Sequence, residues 1–107
     1  MTRSLELLKG TLDVLILRTV ERGAMHGYGV SRWIRERTGG RLAIEDAALY
    51  QALHRLERKG WIAAEWGTSE NNRRAKFYGL TSLGRARLER ALTEWREYAQ
   101  AVDAVLL

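Results

Sequence analysis

The chain has 107 residues, a length that suits one domain and leaves no room for a cofactor domain beside a substrate domain. Its apolar content of 46% and charged content of 29% are those of a folded protein. The absence of cysteine excludes disulfides, thiolate catalysis and cysteine zinc sites. The longest apolar run near position 12 covers only residues 14–17 and no signal peptide precedes it, so we expect a cytoplasmic protein without a membrane partner.

Positive charge is concentrated in one part of the sequence. The 18 lysine and arginine residues exceed the 13 acidic residues, which gives a net charge of +5. Residues 54–90 contain nine basic and four acidic residues, a difference of five, so this segment carries the whole excess. A basic segment of this kind favours a polyanionic partner such as nucleic acid, although a merely soluble basic surface would give the same total.

Three helices are predicted in the N-terminal half. Apolar residues recur at helical spacing over residues 5–23, and a second amphipathic stretch covers residues 27–38. The residues between them, 23–27, are predicted to form a short turn, so that the two helices could open a helix-turn-helix module. Asp46 is the predicted N-cap of a third helix that continues to Lys59.

The C-terminal half is predicted to form a hairpin and one long helix. Strands are predicted over residues 61–66 and 75–80, joined by a polar loop, and Thr81 is predicted to cap a last helix that runs almost to Leu107. This order is that of a winged helix. We therefore predict an α+β, mostly α fold: a winged helix-turn-helix with a β-hairpin wing over residues 1–80, and a C-terminal dimerisation helix over residues 81–107.

The third predicted helix has two chemically different faces. Leucine and alanine side chains share one face, whereas Gln51, His54 and Arg55 lie on the other. An element that enters the major groove of DNA has this arrangement, in which Gln51 could pair with adenine and Arg55 or Arg58 with guanine or a phosphate. An ordinary amphipathic surface helix shows the same pattern. Tyr50, at the edge of the apolar face, suits either the core or a phosphate contact.

The loop of the predicted hairpin combines amides and cations. Such a loop suits phosphates or a narrow minor groove, although a charged hairpin tip also serves solubility alone. The residues concerned are Asn71, Asn72, Arg73, Arg74 and Lys76. The loop and the third helix together, within one module, favour DNA binding more strongly than either element does by itself.

The last predicted helix carries a regular apolar seam. Its spacings of 4, 3, 4, 3 and 4 residues are those of a heptad repeat. A helix of this length, about 37 Å, is long for packing only against its own domain, so the seam favours dimerisation over intramolecular packing. The seam consists of Leu88, Leu92, Trp95, Ala99, Val102 and Leu106.

Motifs of catalysis are missing from the sequence. The histidines, His26 and His54, are far apart and form no His-Glu-x-x-His zinc motif. The chain contains neither a Gly-x-Ser-x-Gly nucleophile elbow nor a phosphate-binding P-loop. We therefore expect no enzyme, no metal and no cofactor.

Short motifs are distributed over roughly residues 8–92. They are Leu8-Lys9-Gly10-Thr11-Leu12, His26-Gly27-Tyr28-Gly29, Leu49-Tyr50, Leu53-His54-Arg55-Leu56-Glu57, Lys59-Gly60-Trp61-Ile62, Arg73-Arg74-Ala75-Lys76-Phe77-Tyr78 and Leu80-Thr81-x-x-Gly84. In combination they resemble the PadR family of bacterial transcription regulators, and the single C-terminal helix is similar to its compact subgroup. One departure is Gln51, which stands where the family commonly has proline, so its base preference can differ.

The resemblance implies a repressor that binds a pseudo-palindromic operator as a homodimer. It assigns DNA binding to the third helix and the wing, at Tyr50, Gln51, His54, Arg55, Asn72, Arg73, Arg74 and Lys76. Some compact members bind flat aromatic compounds between the two subunits through a tryptophan of the last helix, which implies Trp95 as a ligand-binding residue. A tryptophan that fills a dimer core is the alternative for this position.

Other functions fit part of the same pattern. A winged helix could instead be a protein–protein interaction module whose basic face binds an acidic partner, or a small-molecule-binding protein that has lost its DNA role. The adjacent cations Arg73 and Arg74 favour DNA. The expected partners are therefore double-stranded DNA, a second copy of the chain and a planar aromatic small molecule.

Overall fold

The computed structural model describes residues 10–107. Its elements are α1 (Thr11–Glu21), β1 (Met25–His26), α2 (Gly27–Arg37), α3 (Asp46–Arg58), β2 (Ile62–Thr68), β3 (Arg74–Leu80) and α4 (Ser82–Leu106). The predicted order of three helices, a hairpin and a long fourth helix is confirmed, and the fold is a mostly helical winged helix. Within the described range, none of the helices has the length and hydropathy needed to cross a membrane.

Two helices begin at residues other than the predicted ones. Gly10 has a left-handed backbone with φ 86°, so α1 begins at Thr11. The predicted start at residue 5 lies outside the described residues, as do Leu8 and Lys9 of the first motif. At α3, Glu45 is the N-cap and Asp46 is the first helical residue. An acidic side chain there still favours the helix because it faces the positive end of the helix dipole.

A short strand lies where the sequence predicts only a turn. β1 pairs antiparallel with β3, with Met25 opposite Tyr78 and His26 opposite Phe77, and gives a sheet of order β1-β3-β2. A strand of two residues is too short to show alternation, so its sequence carries no strand signal. The His26 side chain then caps α2, since its Nδ1 accepts a hydrogen bond from the backbone N–H of Gly29 at 3.0 Å.

The wing is formed by β2 and β3. Their register runs from Ile62 opposite Leu80 to Thr68 opposite Arg74. At the tip, the backbone N–H of Ser69 donates to the carbonyl of Arg73 at 2.8 Å, and Asn72 takes a left-handed backbone with φ 58°. Asparagine tolerates this conformation better than most residues, which explains its place in a tight loop.

One hydrophobic core joins all the helices to the base of the wing. Its side chains are apolar and almost completely inaccessible, and they come from every element except β1: Ile16, Leu17, Val20, Val30, Ile34, Leu49, Leu53, Leu56, Ile62, Tyr78 and Leu88. The apolar face predicted for α3 is confirmed, since Leu49, Ala52, Leu53 and Leu56 are all buried.

The long helix α4 belongs to the domain at one end and leaves it at the other. Gly84, Leu88 and Ala91 are buried, and Leu92 packs against the core, so Leu88, expected on the dimer seam, lies inside its own domain. From Trp95 onward most side chains are exposed. The radius of gyration of 14.8 Å exceeds the value of about 13 Å expected for a compact chain of this length, as a projecting helix would produce.

Candidate nucleic-acid interface

A groove of about 870 Å³ lies between α3 and the wing. Gly27 and Tyr28 at the N-terminus of α2 also line it, since β1 ties this terminus to β3. Aromatic and basic side chains of α2, α3 and the wing line the groove, among them Tyr28, Tyr50, His54, Trp66, Arg73 and Arg74. The fold therefore brings two of the predicted α3 residues and two of the predicted wing arginines to one surface.

Tyr50 contacts both the protein and the groove. Its ring packs on the N-terminal turn of α2, where a Cβ added at Gly27 would lie 2.8 Å from the tyrosine hydroxyl oxygen. The side chain nevertheless keeps 43% of its surface exposed. The packing role and the phosphate-contact role considered for Tyr50 are thus compatible, since its ring packs on the domain while part of the side chain remains accessible from the groove.

Two of the predicted DNA-binding cations have partners within the domain. The Arg55 guanidinium forms an ion pair with Asp13 of α1, and the Lys76 ammonium lies 3.5 Å from the Glu57 carboxylate of α3. Lys76 also lines the groove, whereas Arg55 does not. The two ion pairs connect α3 to α1 on one side and to β3 on the other.

The remaining α3 and wing residues are exposed. Gln51 and His54 lie on the outer face of α3, and Asn72, Arg73 and Arg74 lie at the tip of the wing. Below them, burial raises the pKa of Tyr78 above its ordinary value, with Glu57 raising it further and Lys76 opposing the shift. Tyr78 is therefore neutral at physiological pH, and the positive charge at the groove comes from Arg32, Arg73, Arg74 and Lys76.

Tyr28, Arg32 and Trp66 are among the groove residues that the sequence did not assign to the site. Tyr28 and Trp66 are 57% and 59% exposed, and the Arg32 guanidinium lies 3.8 Å from Glu70 of the wing loop. One signal was available for Trp66. Trp66 follows Ile62 by an even number of residues, so the two side chains lie on the same, core-facing side of β2. Trp66 lies beyond the part of this side that the core covers.

A second exposed surface lies on the distal part of α4. Trp95 and Tyr98 are 49% and 58% exposed, and their ring centroids are 6.3 Å apart. Val105 and Leu106 are even more accessible. Of the predicted seam, Leu88 and Leu92 meet the core, whereas Trp95, Ala99, Val102 and Leu106 lie beyond the part of α4 that packs against the domain.

Comparisons with known proteins agree with this architecture. The model of the family described as "Transcriptional regulator PadR-like family" matches residues 16–90. Uncharacterized protein X of Lysinibacillus sphaericus is 37% identical over 103 residues, which cover 96% of this chain and 94% of that protein.

Solved structures are similar over nearly the whole chain. A transcriptional regulator from Clostridium thermocellum is 29% identical, with a TM-score of 0.82 over 89% of this chain and 92% of that one. A PadR family transcription regulator from Clostridium difficile is also 29% identical, with a TM-score of 0.79 over 92% of this chain and 100% of that one.

Proposed function

Since the chain belongs to the PadR-like family of transcriptional regulators, we propose that it is a repressor that binds a pseudo-palindromic operator as a homodimer. PadR-like regulators bind DNA and are generally not enzymes. The observation that carries the proposal is the groove, because Tyr50 and His54 of α3 line it together with Arg73 and Arg74 of the wing. Binding to the chromosome would place the protein in the cytoplasm.

The two elements would contact DNA in different ways. Gln51 and His54 of α3 would reach base edges in the major groove, with the Tyr50 hydroxyl on a phosphate. Asn72, Arg73 and Arg74 of the wing would lie on the adjacent backbone or minor groove. Arg55 and Lys76, also predicted as DNA contacts, would act by holding α3 in place through their ion pairs.

The distal part of α4 would form the dimer interface. The exposed Trp95 and Leu106 continue the seam beyond the end of the domain core, and the exposed Tyr98 lies beside Trp95. A patch of this kind on a helix is typical of a surface that pairs with another helix. Two domains joined there would present two wings and two α3 helices, as a two-fold symmetric operator requires.

Trp95 would also contribute to a ligand site. Its ring is half exposed beside that of Tyr98, so two subunits joined at this point would enclose several flat aromatic surfaces. Planar aromatic molecules stack favourably on such surfaces. Binding of such a molecule between the subunits would change their relative placement, and thereby release DNA.

Selection of bound sequences from random duplex DNA tests the proposal. We expect enrichment of an inverted repeat whose half-sites are about 10 base pairs apart, or a multiple of that spacing. A reporter gene with the selected sequence overlapping its promoter should lose expression when the protein is present. Enrichment without symmetry would contradict the dimer, whereas increased expression would contradict repression. Failure to enrich any sequence would favour the protein-interaction alternative.

A further inference from the structure

The wing carries an exposed tryptophan on its inner face. Because alternate residues of a strand share a face, Trp66 lies on the same side of β2 as Ile62 and Ala64. Ile62 is buried and Ala64 packs against the core, but Trp66 is 59% exposed. Trp66 thus lies on the core-facing side of β2 at a position that the core does not cover, and there it lines the groove.

The Arg74 guanidinium lies over the indole ring of Trp66. The Arg74 guanidinium carbon lies 4.5 Å from the ring centroid. Lys76 is directly opposite Trp66 in the ladder, so Arg74 is the diagonal neighbour on β3, within reach of long side chains. No carboxylate of residues 10–107 forms an ion pair with Arg74. In the described part of the chain, the tryptophan is thus what restrains this cation.

We propose that Trp66 is a positioning residue that holds the Arg74 guanidinium ready for a phosphate of duplex DNA. The inference rests on the proposed DNA-binding function. A guanidinium that stacks through its flat face keeps the N–H groups at its edge free to donate to phosphate oxygens. An arginine side chain that is free to move loses conformational entropy when it binds a phosphate. Arg74 has already lost part of this entropy through its contact with Trp66, so its binding costs less.

Duplex DNA of random sequence is the suitable probe, because phosphate contacts do not depend on sequence. Binding of a fluorescein-labelled duplex is measured by anisotropy at several salt concentrations. Trp66→Leu should raise Kd by about 2- to 5-fold per subunit, because binding must then order a flexible arginine side chain that is no longer held in place. Trp66→Phe should restore most of the affinity because it keeps an aromatic face. In an Arg74→Ala background, Trp66→Leu should weaken binding no further.

The salt dependence separates positioning from direct contact. Arg74→Ala should make the log-log salt slope shallower by about 0.9 for each phosphate that the arginine neutralises, whereas Trp66→Leu should leave it unchanged because the cation remains. Ala63→Leu, on the exposed outer face of the same strand, is the matched control and should bind like the wild type. Thermal unfolding checks that each variant folds. Trp66→Thr, which suits a strand, replaces the leucine variant if that protein aggregates.

Several outcomes would overturn the inference. An equal decrease in affinity on Trp66→Leu with and without Arg74 would mean that the indole contacts DNA itself. If Trp66→Leu binds DNA like the wild type, Trp66 has no positioning role, although DNA binding itself stands. The same conclusion follows if Arg74→Ala binds like the wild type while Arg73→Ala weakens binding. A wild-type protein that binds no duplex at low salt would contradict the proposed function as well.

Discussion

The guanidinium of Arg55 on α3 pairs with the carboxylate of Asp13 on α1, a residue 42 positions earlier in the sequence. Their side chains are 41% and 24% exposed, so the pair lies at the edge of the core rather than in open solvent. Arg55 is therefore occupied on the protein side of α3, whereas Gln51 and His54 stay exposed on its outer face, where a base edge could meet them. Arg55 and Gln51 should behave differently when replaced.

We predict that Arg55→Ala lowers the free energy of unfolding, whereas Gln51→Ala does not. A double-mutant cycle with Asp13→Asn should give a coupling of about 0.2–1 kcal/mol, the usual range for a solvent-accessible ion pair. Chemical denaturation measures both. On a selected operator, Gln51→Ala should reduce discrimination by about 1–3 kcal/mol for the base pair that it contacts. Reduced discrimination in Arg55→Ala at unchanged stability would instead make Arg55 a base-reading residue.

Replacement of Arg73 and Arg74 by alanine should weaken binding to every DNA sequence. Both residues are exposed at the tip of the wing. The log-log salt slope should become shallower by about 0.9 for each phosphate that these arginines neutralise in each subunit. Titrations at several salt concentrations measure the slope. Arg96→Ala, which removes a cation from the distal part of α4, is the control. Unchanged affinity and slope in the wing variant would place the wing outside the DNA interface.

The dimer interface is best tested at Trp95. Leu92 packs against the core of its own domain, so a charge there would disturb folding as well as assembly. Trp95 is 49% exposed, and Trp95→Glu should therefore leave the domain folded while placing a charge on each side of the interface. Sedimentation at micromolar concentration should show a dimeric wild type and a monomeric variant with weak operator binding.

Thr93→Glu is the matched control for this substitution. It introduces the same side chain two residues away, on nearly the opposite side of α4, where the structure shows an exposed position. We expect this variant to remain a dimer. A monomeric wild type, or a Trp95→Glu variant that stays dimeric, would show that another surface joins the subunits or that none does.

Planar aromatic cations should bind to the wild type and not to Trp95→Ala. The expected cause is stacking on the half-exposed indole and its neighbour Tyr98. Isothermal titration is preferable to fluorescence quenching because three other tryptophans would contribute to the quench. Trp66→Ala is the control, because Trp66 lies on the wing and not on α4. This variant should still bind the planar aromatic cation. Equal affinity in the two variants would remove Trp95 from the ligand site.

Gly84→Ala should destabilise the domain severely. A Cβ at this position would lie 1.9 Å from the carbonyl oxygen of Trp61, a backbone atom that cannot move without breaking the base of the wing. Overpacking commonly costs about 1–3 kcal/mol, and a clash with backbone should reach or exceed that range. Gly79→Ala is the control, since its Cβ would meet only Ala24 at 3.9 Å. Urea denaturation that finds equal stabilities would contradict the packing at α4.

Hydrophobic periodicity was sufficient to predict the order of the helices and the hairpin. The pattern of α3 shows why: Leu49, Leu53 and Leu56 are one helical face in the sequence and one buried face in the structure. The cap at Thr81 was equally predictable, because its Oγ1 accepts from the backbone N–H of Gly84, three residues away. Such local relationships are encoded within a single turn of chain.

Relationships between distant segments were decided only by the tertiary structure. β1 exists because β3 supplies its hydrogen bonds, and Arg55 meets Asp13 because α1 packs against α3. The heptad seam on α4 was visible in the sequence, but spacing alone cannot tell which part meets the domain and which part leaves it. Leu88 is buried and Leu106 is 72% exposed because the body of the domain ends between them. A side chain's spacing is a local property, whereas its partner depends on how the whole chain packs.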